Sequence, residues 1–147
     1  MMLPVVAGCG LFSSKTWRDL YTGSPLTFTV PHDSSNAVWE RARIWFGGAP
    51  LRPDLATADD TLLRSKETRA GAGEYILSVD RSTDAIEATF VVSYKIEQGE
   101  ESGAVLDRAV DRAEELAYMS ATSDSPQAHL QRLGRNEADP IYDWKHP

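Results

Sequence analysis

Runs of alternating apolar and polar residues predict four β-strands along the chain. The clearest run extends from Ile86 to Glu97, where apolar residues occupy every second position and only Val91 breaks the pattern. This alternation is typical of an antiparallel strand that buries one face and leaves the other in water. Shorter alternating runs cover 26–30, 60–66 and 74–80. The inward-facing residues expected in the runs 74–80 and 86–97 are Tyr75, Leu77, Val79, Ile86, Ala88, Phe90, Val92, Tyr94 and Ile96.

Two segments repeat their apolar residues at three- and four-residue spacing, which predicts amphipathic helices over 35–46 and 104–121. The Asp and Ser side chains at 33–35 offer oxygens to the free N–H groups at the start of the first helix. The two glycines at 47–48 predict a left-handed end to that helix. The expected buried stripes are Val38, Trp39, Ala42, Trp45 and Phe46 in the first helix and Leu106, Ala109, Val110, Ala113, Leu116 and Ala117 in the second.

The order of these elements, β-α-β-β-β-α, predicts an α+β fold. Connections of hairpin length cannot join parallel strands, so we expect an antiparallel sheet of about four strands. Both helices are expected to pack on one face of that sheet. This order is similar to that of the small α+β modules of outer-membrane lipoproteins and of cystatin-like folds. A similarity of element order implies a fold and leaves the function open.

The composition is that of one globular domain without disulfide support. The chain has 147 residues, of which 41% are hydrophobic and 25% are charged, close to the averages of soluble domains. The net charge of −7 argues against nucleic acid as a partner, because phosphate binding needs concentrated Lys and Arg. The single cysteine, Cys9, excludes an internal disulfide. The sequence has no run of about 18 apolar residues, so no membrane-spanning helix is predicted.

A short apolar stretch near the start of the chain ends in small residues directly before the only cysteine. The sequence Val6-Ala7-Gly8-Cys9 resembles the lipobox of bacterial lipoproteins, with a truncated signal that has no basic residue before its apolar stretch. The resemblance implies acyl chains such as palmitate on Cys9. Gly10 stands where Asp would imply retention in the inner membrane, so the resemblance implies the outer membrane. The alternative is an apolar N-terminal strand or turn with Cys9 as a small core residue.

The composition changes along the chain and predicts four segments. They are the residual lipoprotein signal with the lipidation site (1–9), a tether rich in Ser, Thr and Gly (10–25), the α+β domain (26–122) and a polar C-terminal tail (123–147). Ile141, Tyr142 and Trp144 in the tail are candidates for docking to a partner, because Tyr and Trp often anchor interfaces. The equal alternative is that Trp144 folds back over the edge of its own domain.

The sequence offers no catalytic, cofactor-binding or metal-binding pattern, so we expect no enzyme and no cofactor. His32, His129 and His146 lack the spacing of a metal-binding pair on a helix. No Gly-x-Ser-x-Gly motif marks a nucleophile.

These features predict a noncatalytic envelope lipoprotein that faces the periplasm and binds an unknown envelope protein, as an assembly accessory or structural partner. The alternative function is a carrier of a small ligand in a pocket between helix and sheet. A closed core favours the first function, and a pocket of roughly 300 Å³ or more favours the second. The expected pocket lining is Trp39, Trp45, Tyr75, Phe90 and Tyr94.

Overall fold

Seven β-strands form one antiparallel sheet in the computed structural model, which describes residues 17–19, 26–71, 73–97 and 103–123. The strands are β1 (Trp17–Asp19), β2 (Leu26–Pro31), β3 (Leu55–Ala58), β4 (Leu62–Ser65), β5 (Thr68–Ala70), β6 (Gly73–Thr83) and β7 (Glu87–Glu97). The helices are α1 (Ser35–Trp45) and α2 (Gly103–Thr122), and a short 3-10 turn (His32–Ser34) precedes α1. Neither α1 nor α2 combines the length and apolar character that a membrane-spanning helix requires.

The hairpin of β6 and β7 forms the centre of the sheet. The two strands pair in a register that places Leu77 opposite Tyr94 and Val79 opposite Val92. The other side of β7 pairs with β2 and then with β1, while the other side of β6 pairs with β4 and β5. Strand β3 pairs with β4 and is the last strand on that side of the described sheet. Two shorter strands therefore pair with each outer side of the central hairpin, β1 and β2 with β7, and β4 and β5 with β6.

One face of the sheet packs with both helices in a single apolar core. Buried residues alternate with more exposed ones along β6 and β7, as the pleat of a half-buried strand requires. Phe90 of β7 stacks on Phe28 of β2 with ring centroids 5.2 Å apart, and its centroid lies 6.1 Å from that of Trp39 in α1. These aromatic contacts join the central strand to an outer strand and to a helix.

The structure confirms the α+β class and the antiparallel sheet and corrects the number and order of strands. Each of the four predicted strands is present, but β1, β3 and β5 are additional, so the order is β-β-α-β-β-β-β-β-α. These three strands have three or four residues each, and β3 and β5 contain no buried residue, so no alternation marks them in the sequence. Strand β1 lies within 10–25, the segment predicted as a tether, and pairs with β7.

The turn between β6 and β7 explains one error in the predicted core. Ile86, expected to face inward at the start of a strand, lies in the turn and is 80% exposed. The Asp84 carboxylate accepts hydrogen bonds from the N–H groups of Glu87 and Ile86, at 2.8 Å each. These bonds stabilise the charged form and hold the pKa of Asp84 below its usual value. The strand therefore begins after this turn, at Glu87.

The two ends of α1 differ in how well the sequence predicts them. Gly47 has the predicted left-handed conformation, with φ of +71°, but it follows Phe46, whose extended backbone ends the helix. Gly47 therefore lies in a turn closed by a hydrogen bond from the Gly48 N–H to the Trp45 carbonyl at 3.1 Å. At the start, the predicted side-chain cap from residues 33–35 is wrong, since Ser34 is the N-cap residue and makes no capping bond with its side chain. The Ser35 hydroxyl instead accepts a hydrogen bond from Nη1 of Arg81 at 3.1 Å. Arg81 of the sheet thus binds the Ser35 hydroxyl, one of the oxygens that the sequence predicts as a helix cap.

Candidate binding site

A groove of about 650 Å³ lies between α2 and β7. Tyr94 of the strand and Leu106 and Val110 of the helix form its apolar part, and Asp107 and Asp111 complete the lining. We call this surface the α2–β7 groove. Leu106 and Val110 are four residues apart on one side of the helix and stay half-buried, although the sequence places both in the buried stripe. They therefore form the wall of a surface groove beside the core.

The position of Tyr94 follows from the pairing of β7 with two successive strands. Strand β2 pairs with residues 87–92 of β7, and β1 pairs with residues 95–97. Tyr94 lies where these two pairings meet, and it faces the helices because it shares the register of Phe90 and Val92. Its side chain is almost fully buried, so its contribution to the groove is an apolar floor.

The helix side of the α2–β7 groove is acidic. Asp107 and Asp111 are exposed and lie one helical turn apart. Burial raises the pKa of the nearby Glu114, and the negative charge of Asp111 raises it further. An apolar floor beside two carboxylates fits an occupant that is apolar on one side and positively charged on the other.

A second cavity, of about 510 Å³, is polar and opens at the start of α1 around Arg81. The Arg81 guanidinium lies 4.6 Å from the centre of the Trp39 ring. Its Nε and Nη2 donate to the backbone carbonyl of Asp60 at 3.0 and 2.9 Å, and its Nη1 donates to Oδ1 of Asn36 at 2.9 Å and to the Ser35 hydroxyl at 3.1 Å. Arg81 therefore ties the loop before β4 to the start of α1.

Replacing Arg81 with Ala is expected to lower the free energy of unfolding by about 1–3 kcal/mol, because it removes charge-assisted hydrogen bonds that join two elements. Arg81→Lys keeps the charge but cannot grip the Asp60 carbonyl with two N–H groups, so it should recover only part of the loss. Urea unfolding measures both variants.

His32→Ala is the matched control, since His32 lines the same cavity but is exposed, and its side chain makes one hydrogen bond, to the Asp84 carbonyl at 2.8 Å. Its expected effect is below about 0.5 kcal/mol. An equal loss of stability in Arg81→Ala and His32→Ala would contradict the role given to Arg81.

A charged cluster joins α2 to the loop that follows α1. Oε1 of Glu115 accepts hydrogen bonds from Nη1 of Arg112 at 2.8 Å and from Nε of Arg52 at 3.3 Å. Arg52 also lies 5.1 Å from the centre of the Trp45 ring. Burial raises the pKa of the neighbouring Tyr75 hydroxyl, and the charge of Arg112 opposes that shift. Arg52 thus holds the loop against the helix, while Arg112 pairs with Glu115 within α2, so the cluster supports the fold.

The aromatic residues that the sequence assigns to a ligand pocket lie mainly in the closed core. Trp39, Trp45, Tyr75 and Phe90 are all buried in the same apolar cluster. Of the predicted set, Tyr94 is the one that also lines the α2–β7 groove. The sequence does contain a pattern for the groove, because Leu106-Asp107 and Val110-Asp111 each place an apolar residue beside an acidic one, and the two pairs lie one helical turn apart. Periodicity alone, however, assigns the two apolar residues to the core.

The predicted lipidation residue and the predicted docking residues lie outside the described residues. They are Cys9, Ile141, Tyr142 and Trp144. Within the described ranges, no group of His, Cys, Asp and Glu side chains could hold a metal ion. Comparison of the chain with protein-family models, with curated proteins and with solved structures finds no match.

Proposed function

We propose that the chain is a noncatalytic lipoprotein of a bacterial envelope that acts by binding another envelope protein. The observation that carries the proposal is the sequence Val6-Ala7-Gly8 directly before Cys9. The aliphatic Val6 and the small residues Ala7 and Gly8 suit cleavage before the cysteine, whose thiol then receives the lipid. Gly10 after the cysteine supports residence in the outer membrane, with the domain facing the periplasm.

The short distance along the chain between Cys9 and β1 supports a function close to the membrane. Because β1 begins at Trp17, the residues between it and Cys9 span at most about 30 Å even when fully extended. A lipid on Cys9 would therefore hold this edge of the sheet near the lipid headgroups. A domain restrained in this way is suited to a partner in the same membrane or close to its surface.

The C-terminal tail supplies the docking residues of the proposal. Ile141, Tyr142 and Trp144 lie close together in the sequence, and aromatic side chains supply much of the binding energy in protein interfaces. The net charge of −7 supports a protein partner over a nucleic acid.

A second candidate function, the carriage of a small ligand, is favoured by one observation. The α2–β7 groove of about 650 Å³ falls within the size range of small-molecule sites. In this case the ligand would contact Tyr94, Leu106 and Val110 at the surface, and the core aromatic residues would stay in contact with one another.

Photo-crosslinking in the native cells tests partner binding at the tail. With a photoreactive amino acid at Ile141 of the full chain, we expect one main adduct that mass spectrometry identifies as an envelope protein. The same amino acid at Thr57, an exposed residue of β3, should give little of that adduct. Trp144→Ala should remove most of the Ile141 adduct. Equal adducts from both positions, or an adduct that survives Trp144→Ala, would contradict docking through the tail.

A further inference from the structure

The end of α2 directs the chain into its C-terminal segment by a defined turn. The helix ends at Thr122, and the next residue, Ser123, has φ of +69°. The N–H of Ser123 donates to the carbonyl of Met119 at 3.1 Å, a bond typical of a helix that ends in a left-handed residue. Nε of Arg41 in α1 donates to the carbonyl of Ser120 at 2.8 Å and covers another of the last carbonyls. The chain therefore leaves the axis of α2 at Ser123.

The α2–β7 groove lies within reach of the chain that follows. Asp111, the groove residue nearest the end of the helix, lies about 17 Å back along α2 from Thr122. Residues 124–129 can span about 20 Å when extended. Pro126 disfavours a continuation of the helix through this stretch. A chain that reverses after Ser123 can thus bring the residues after 129 alongside the groove.

The sequence of this part of the tail complements the groove in apolar character and in charge. The segment 129–135 reads His-Leu-Gln-Arg-Leu-Gly-Arg, with two leucines three residues apart and two arginines three residues apart. The groove offers two apolar side chains four residues apart, Leu106 and Val110, and two exposed carboxylates with the same spacing, Asp107 and Asp111. The tail segment thus combines an apolar pair with nearby positive charges, and the groove combines an apolar pair with nearby negative charges.

We propose that the segment 129–135 of this chain docks in the α2–β7 groove. Leu130 and Leu133 pack on the apolar floor, and Arg132 and Arg135 pair with the two carboxylates of the groove. The contact covers an apolar surface that the described residues leave open and places the following residues of the tail beside α2. This proposal requires neither lipid on Cys9 nor a partner, so its test is independent of the proposed binding of an envelope protein. A tail docked in the groove would exclude the small ligand of the second candidate function, which uses the same surface.

Disulfide trapping in the full chain tests the docking directly. In a Cys9→Ser background, Val110→Cys combined with Leu133→Cys should form an intramolecular disulfide under mild oxidation, because docking brings the two residues within bonding distance. The control combines Leu133→Cys with Ile44→Cys, a position on α1 that is 65% exposed and is not among the residues lining the groove. We expect the groove pair to form at least about ten times faster than the control pair, because docking raises the effective concentration of the two thiols.

Charge reversal separates specific docking from chance collisions of the tail. Asp107→Arg together with Asp111→Arg should slow disulfide formation at the groove several-fold, and adding Arg132→Asp with Arg135→Asp should restore most of the rate. Equal rates for the groove pair and the control pair would overturn the proposal, as would a groove rate insensitive to both reversals. A disulfide that links two chains and depends on protein concentration would show that the groove takes the tail of a second copy, which also contradicts intramolecular docking.

Discussion

Phe90→Ala is expected to lower the free energy of unfolding by about 3–5 kcal/mol, the range found when a large buried aromatic side chain is truncated. Phe90 is 0% exposed and lies in β7, which pairs on both sides. Its ring stacks on Phe28 and contacts Trp39, so the truncation removes contacts with a second strand and with α1 at once. The truncation leaves a cavity between β7, β2 and α1, which cannot collapse unless one of these elements moves. The loss of unfolding free energy should therefore lie near the upper end of the range.

Equilibrium unfolding in urea measures this loss, and Thr89→Ala provides the control. Thr89 is the neighbour of Phe90 on the opposite, half-exposed face of the same strand, so its truncation should cost less than about 1 kcal/mol. If Phe90→Ala and Thr89→Ala lost similar amounts of stability, the assignment of the core to the helix-covered face of the sheet would be wrong.

Cys9→Ser is expected to move the protein from the membrane fraction to the soluble fraction of its native cells. The reason is chemical, since the proposed lipid would be attached through a thioether that a serine hydroxyl does not provide. Several acyl chains on one residue contribute enough buried CH₂ groups for stable attachment, while the domain itself offers no substitute among its described helices. The thermal midpoint of the purified variant should match that of a nonlipidated wild-type chain.

Gly10→Asp is the companion variant, because under the proposal it should alter sorting and leave the lipid in place. It should keep the protein membrane-bound and shift it to the inner membrane. Fractionation on a density gradient distinguishes the two membranes. Wild-type protein recovered solely with the inner membrane would contradict the sorting proposed from Gly10.

The sequence predicts those parts of the fold whose side chains alternate between buried and exposed positions. The long strands β6 and β7 and the helices α1 and α2 have such patterns, and the structure places them within a few residues of their predicted bounds. The strands β3 and β5 have no buried residues, so they carry no pattern. Their pairing depends on β4 and β6, which supply the backbone partners, and hence on contacts that periodicity does not encode.

The candidate site is harder to predict, because it depends on how far α2 is rotated on the sheet. Leu106 and Val110 have the spacing of core residues, and a small rotation of the helix decides whether they are enclosed or line a groove. The same limit applies to Arg81. The sequence places Arg81 in a polar turn after the strand, whereas β6 continues through it to Thr83, and its contacts with Asp60 and Trp39 join residues far apart in the chain.

Mass spectrometry of the N-terminal peptide tests the central proposal, lipid anchoring at Cys9, most directly. Protein purified with detergent from its native cells should yield a mature chain that begins at Cys9 and carries the added mass of acyl groups on that residue. A peptide that contains Cys9 unmodified and still joined to Gly8 would contradict the account.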